Sequence, residues 1–176
     1  DRAPLASAGV LALFLFGVCG DGLPRNENIT WFGDHDTAAV RYLATLPEGV
    51  VVATHPERAA FVQTFAHRNV LFSAPTNIPW FVAYEREMER RLEAFYRAYY
   101  ATDPAALRRF AEAFGVDYLV ADERDFGPDA AKRARYYAPW GELARSLVAG
   151  AHGFALAAPE HVVFRDGPRF VVDLRP

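Results

Sequence analysis

Cysteine is almost missing from this chain. Cys19 is the only one, so there is no internal disulfide and no thiolate metal site. Motifs for several common chemistries are missing too. No G-x-G-x-x-G or Walker-type lysine follows either apolar strand-like run, which argues against a dinucleotide or nucleoside triphosphate domain. The serines are Ser7, Ser73 and Ser146, none in a G-x-S-x-G elbow, which argues against a serine hydrolase. A basic surplus is also lacking. The formal net charge is -3, from 19 basic and 22 acidic side chains, and gives no nucleic-acid footprint. Internal repeats and low-complexity tracts are absent.

What is present describes a folded domain. At 176 residues the chain suits one domain with a short appendage. Hydrophobic residues make up 52% and aromatic residues 14%, so the core is expected to be rich in Phe and Tyr.

Leu5 to Gly20 (LASAGVLALFLFGVCG) carries no charge over sixteen residues. A full membrane span needs about twenty. The run therefore reads as a short or truncated last span, with a buried helix and a signal-type leader as the other readings. Residues 1–20 are expected to form an apolar helix and 21–35 a polar exit loop. An α/β domain is expected over 36–176. Asn28-Ile29-Thr30 fits a glycosylation acceptor.

Within the domain, Asp36 is expected to cap a helix to about Leu46, stopped by Pro47-Glu48-Gly49. Val50–Thr54 reads as a buried parallel strand. Pro56 to about Phe65 reads as a short helix with Phe61 and Phe65 inward, and Asn69–Ser73 as a second strand. After a loop at Ala74–Trp80, a long helix is expected over Phe81–Ala101. Its apolar stripe is Phe81, Tyr84, Met88, Leu92, Phe95 and Tyr99. Asp103-Pro104 starts the next helix and Gly115 closes it. Val116–Ala121 is the clearest strand. Asp129–Ala149 is expected in two helical pieces divided at Pro139. A hairpin of His161–Arg165 and Arg169–Leu174 ends the chain, turning at Asp166-Gly167. The fold class is α/β: a small Rossmann-like, mostly parallel sheet with helices on both faces and a C-terminal β-hairpin.

Ligand sites in open α/β sheets lie at the C-terminal ends of parallel strands. His55 follows the first strand, and Asp122, Glu123, Arg124 and Asp125 follow the third. These five are the candidate ligand-binding residues, and the carboxylates could take a cation or a sugar hydroxyl. The bland readings are a loop-bonded histidine and a solvated loop. Gly33-Asp34-His35-Asp36 is the densest set of metal-type ligands, but adjacent residues seldom face one centre and Asp36 is wanted as a cap, so no metal site is assigned. His67 and Arg68 read as surface residues. Arg86, Arg90, Arg91, Arg97, Arg108 and Arg109, interleaved with Tyr96, Tyr99 and Tyr100, suggest either a solvated helix face or a surface for lipid phosphates. No catalytic residue and no cofactor is assigned.

The order of segments carries a resemblance. An apolar run and exit loop precede Leu46-Pro47-Glu48-Gly49, Val50–Pro56 and Arg68-Asn69-Val70-Leu71. A Tyr-rich helix leads to Tyr99–Pro104, Phe114–Val120 and a closing hairpin. From about Leu5 to Leu174 this resembles the C-terminal extracytoplasmic domain of bacterial polytopic membrane proteins, many of them similar to GT-C type glycosyltransferases that use lipid-linked sugars. The resemblance implies an accessory, non-catalytic domain on the extracytoplasmic side of a membrane. Its implied partners are the upstream spans of the same protein and membrane lipid or a lipid-linked substrate. The alternative is an independent α/β enzyme or soluble ligand-binding module with its site at the strand ends.

Overall fold

The structure is a computed structural model and describes residues 9, 14–16, 37–74, 80–134, 136, 138–151 and 153–176. The chain divides into two units, 1–35 and 36–176. In the first, Gly9 and Phe14 to Phe16 are helical and exposed. The rest of the expected apolar helix, the exit loop, the Gly33–Asp36 cluster and the glycosylation pattern lie outside the described residues. Among those described, no helix is long and apolar enough to cross a membrane.

The second unit is an open five-stranded sheet with helices on both faces. Helix α1 (Ala38–Ala44) leads into β1 (Val51–Thr54). Helix α2 (Pro56–Phe61) continues as a π-helical turn over Val62–Ala66 and reaches β2 (Asn69–Val70). Helices α3 (Val82–Tyr99) and α4 (Pro104–Phe114) lead to β3 (Tyr118–Asp122). A 3-10 turn (Glu123–Phe126), α5 (Ala130–Arg133) and α6 (Trp140–Ala149) precede the hairpin of β4 (Val162–Asp166) and β5 (Arg169–Asp173). The strand order is β2-β1-β3-β5-β4. β1 is parallel to both β2 and β3, whereas β5 is antiparallel to β3 and β4.

Strand alternation sorts the core into two layers. Leu119, Ala121, Phe170 and Val172 face α3 and α4, where Leu92, Phe95, Tyr96 and Tyr99 are fully buried. Tyr118, Val120, Val52 and Val171 face α1 and the π-helical turn. Every residue of β3 is buried, as expected of a central strand covered on both faces. Gly115 closes α4 at φ +63°, a left-handed position that favours glycine.

Several expectations change. Thr37, not Asp36, caps α1, its hydroxyl accepting from Val40 N at 3.3 Å. Phe61 and Phe65 are only half-buried and stack on each other at 6.3 Å. The smaller Ala59, Val62 and Ala66 are the buried residues of this segment, which continues as a π-helical turn from Val62. The second strand ends at Val70, though Leu71 N still donates to Val52 O at 3.1 Å; Leu71 and Phe72 pack in the α3 core. The apolar stripe of α3 is buried from Met88 onward, while Phe81 and Tyr84 stay exposed. Tyr96, Tyr99 and Tyr100 are buried, so they do not interleave with arginines on a surface. Of those arginines, Arg90 and Arg91 both engage Glu87 at 2.8 Å, and Arg97 engages Glu93 at 2.8 Å.

Arg68 is also buried. Its guanidinium donates to the carbonyls of Ala66 and His67 at 3.0 Å, of Ala44 at 2.7 Å, and of Leu46. It thereby satisfies carbonyls at the ends of two helical segments that lack partners of their own. Arg68→Met keeps the apolar stem and removes these donors. A loss of about 2–3 kcal/mol is expected, read from urea denaturation. A loss below about 1 kcal/mol would show that water replaces the guanidinium without cost.

Candidate functional site

The C-terminal ends of β1 and β3 lie side by side in the sheet, with Thr54 opposite Val120. His55 leaves β1 as the N-cap of α2. Its Nδ1 accepts from Glu57 N at 3.4 Å. In the neutral ring the proton therefore sits on Nε2, since one nitrogen accepts and the other donates. The residue is 5% exposed. Nε2 is buried and has no hydrogen-bond partner among the described residues. Edge contacts to Tyr96 (6.0 Å) and Tyr136 (6.4 Å) hold the ring. Tyr136 is seated over Gly141, where a Cβ would collide with its carbonyl. Burial, with help from Arg58, lowers the His55 pKa to about 4, so the ring is neutral at pH 7.

Asp122 ends β3 with a fully buried side chain. Its Oδ1 accepts from Arg124 N at 3.0 Å and Arg124 Nε at 2.8 Å, and its Oδ2 accepts from Arg124 Nη2 at 2.6 Å. Arg58 Nη2 and Arg133 Nη2 each stand 3.6 Å from the same Oδ2. Burial pushes the Asp122 carboxyl up, but the bonds from Arg124 and the charge of Arg58 outweigh it and hold the group below its ordinary value. Asp125, in the 3-10 turn, is also buried. Its Oδ2 accepts from Tyr99 Oη at 2.8 Å and Arg58 Nη1 at 3.3 Å, and its Oδ1 from Arg133 Nε at 3.0 Å. Burial and the Asp125 charge raise the Tyr99 hydroxyl well above its usual range, so it remains a donor.

Two buried carboxylates thus meet three guanidinium groups, a local surplus of one positive charge. A cleft of about 700 Å³ opens over them, lined by His55, Arg58, Arg124, Asp125, Lys132 and Arg133. On its rim Lys132 pairs with Asp129 at 2.7 Å, and Glu57 stands exposed.

Of the five sequence candidates, the structure brings together His55, Asp122, Arg124 and Asp125. Glu123 turns away and pairs with Arg165 of β4. Arg58, Arg133 and Tyr99 were not among the candidates. Arg58 was within reach of sequence reasoning, because it lies three residues after His55 and so one helical turn along α2. Arg133 and Tyr99 come from remote elements and carry no local signal.

The chemistry this arrangement favours is binding. Both buried carboxylates already accept charged or hydroxyl donors, so neither is a ready general base. Among the described residues no group of three or more His, Cys, Asp or Glu is placed to hold a metal ion. The cleft lining carries N–H donors from His55, Arg58, Arg124 and Arg133 beside the carboxylates of Glu57, Asp125 and Asp129.

No family model matches the chain, and no curated protein does. Among solved structures it is similar to the C-terminal globular domain of an oligosaccharyltransferase from Archaeoglobus fulgidus. The two are 11% identical, with a TM-score of 0.49 over 78% of this chain and 94% of that one. At that overlap the likeness assigns no function.

Proposed function

We propose that this chain is an accessory, non-catalytic α/β domain of a polytopic membrane protein. The domain stands on the extracytoplasmic side, and the parent is of the glycosyltransferase type that uses lipid-linked sugars. The domain's task is to hold a ligand or cover a neighbouring site, while bond-breaking belongs elsewhere in the parent. One observation carries the membrane part of this reading. At the start of α3, Trp80, Phe81 and Val82 are 81%, 72% and 67% exposed. Large aromatic side chains left together in water mark a contact surface, and Trp is enriched where protein meets the membrane–water boundary. The uncharged run from Leu5 to Gly20 and the order of segments agree with it. The neutralised acid–base groups at the strand ends agree with the non-catalytic part.

Fractionation of the full-length native protein tests the reading. Retention with membranes through carbonate and high-salt washes is the expected result, and release would overturn it. A finer test uses the chain itself with phospholipid vesicles. Trp80→Ser combined with Phe81→Ser should lower vesicle partitioning by roughly tenfold or more, given about 1.5–3 kcal/mol for each large apolar side chain buried. Unchanged partitioning would detach this patch from the membrane.

A further inference from the structure

The carboxylates after β3 read, in sequence, as acceptors for a cation or a sugar hydroxyl. Their surroundings reverse that polarity. Asp122 and Asp125 accept from guanidinium groups and Tyr99. Each guanidinium carries five N–H donors in a planar fork. Arg58 gives one hydrogen bond to Asp125, and Arg133 gives one to the same carboxylate. Their contacts to Asp122 at 3.6 Å are longer than hydrogen bonds. Both arginines line the cleft while keeping N–H groups that the carboxylates do not take up.

His55 adds an independent observation. A buried N–H with no acceptor costs free energy unless something meets it. Its Nε2 is such a donor, on a residue that lines the same cleft. We infer that the cleft at the ends of β1 and β3 is an anion site for a phosphate group, as a monoester or a diphosphate, bound by His55, Arg58 and Arg133. A tetrahedral oxyanion offers oxygens in several directions. It can therefore meet two guanidinium forks and an imidazole N–H together, where a planar carboxylate meets one fork. The volume admits more than the anion alone, so the phosphate is the anchoring end of a larger molecule. Lys132 and Asp129 cancel on the rim, and Glu57, being exposed, stays in water as the ligand enters.

The inference rests on the proposed function only in treating the site as one that binds. A chain that washes off membranes would leave it standing.

The test follows the His55 ring by NMR in the full chain labelled with nitrogen-15 histidine, with His55→Asn to assign the signal. Potassium pyrophosphate is titrated to tens of millimolar against potassium chloride at equal ionic strength. Vesicles carrying phosphatidic acid form a second arm. A saturable shift of Nε2 with pyrophosphate, and none with chloride, is the expected result. A shift with the phosphatidic acid vesicles alone also supports the site and assigns it to a lipid headgroup. Arg133→Gln should raise the apparent dissociation constant roughly tenfold, the equivalent of one charge-assisted hydrogen bond. Silence in both arms overturns the inference. So does a shift equal in chloride, or one that magnesium chloride produces without phosphate.

Discussion

Asp125→Ala should cost about 3–5 kcal/mol of folding stability. The expected size comes from what the carboxylate holds. It takes bonds from Tyr99, Arg58 and Arg133, and so joins α3, α2 and α5 at the end of β3. Removing it strands the buried Tyr99 hydroxyl, which keeps only a 3.3 Å bond as acceptor from Asp122 N. It also leaves two partly buried cations facing a single carboxylate that Arg124 already occupies. Taking one partner from a buried ionic cluster leaves its charges uncompensated, which is why the cost exceeds that of one hydrogen bond. Tyr99→Phe removes the bond to Asp125 and the longer one from Asp122 N but no charge, and should cost about 1–2 kcal/mol. Urea denaturation of both variants checks the ranking. If Asp125→Ala lost no more than Tyr99→Phe, the cluster would contribute only its hydrogen bonds. A double-mutant cycle with Arg133→Met should show coupling of about 1 kcal/mol or more, because the two side chains touch.

The wild-type domain should also lose about 3 kcal/mol of stability on acidification from about pH 6.5 to about pH 4. The folded His55 ring has its pKa lowered to about 4, while the unfolded ring keeps its ordinary value of 6.5. Below the unfolded pKa, the unfolded chain takes up a proton that the folded chain refuses. Stability then falls by about 1.4 kcal/mol per pH unit until the folded ring titrates. The causes are burial first, then Arg58, with Arg133 in the same sense and Asp125 opposing. Asp122 acts in a separate, lower window. Its folded pKa lies below 3.8, so its contribution is complete above that value and fades beneath it. His55→Asn keeps an N-cap acceptor for α2 and removes the titrating ring. Denaturation midpoints at about pH 7 and about pH 4.5 should separate strongly in the wild type and much less in the variant. Equal separation in the two proteins would place the acid sensitivity elsewhere.

Much of the fold was legible because its signals are local. Val116–Ala121 and Val50–Thr54 announced themselves as short, largely apolar runs, and both are strands within two residues of expectation. Asp103-Pro104 and Gly115 bracket α4 as their backbone preferences require. The illegible parts depend on tertiary packing. No propensity marks a π-helical turn, and nothing local showed that Ala59, Val62 and Ala66 would be buried while Phe61 and Phe65 stay half-buried. A basic residue before a strand reads as surface. Arg68 is buried because two helical segments end beside it with carbonyls to satisfy. At the site, residue positions could be read but polarity could not. Asp122 and Asp125 are acidic in sequence, yet the cleft above them is set by arginines from α2 and α5 that the chain brings in from either side.

The five buried residues of β3 also set the tempo of this site. The strand is bonded to a neighbour along each edge and covered on each face. Amides in such a strand exchange their hydrogens only when the whole domain opens. Asp122 is the last residue of that strand and Asp125 follows three residues on, so the carboxylates are fixed to the slowest-exchanging part of the molecule. Adjustment to a ligand then falls to the long, half-buried side chains of Arg58 and Arg133, which come from helices outside that strand. The carboxylates at the floor of the cleft thus hang on the part of the fold that opens last, and the arginines above them do not.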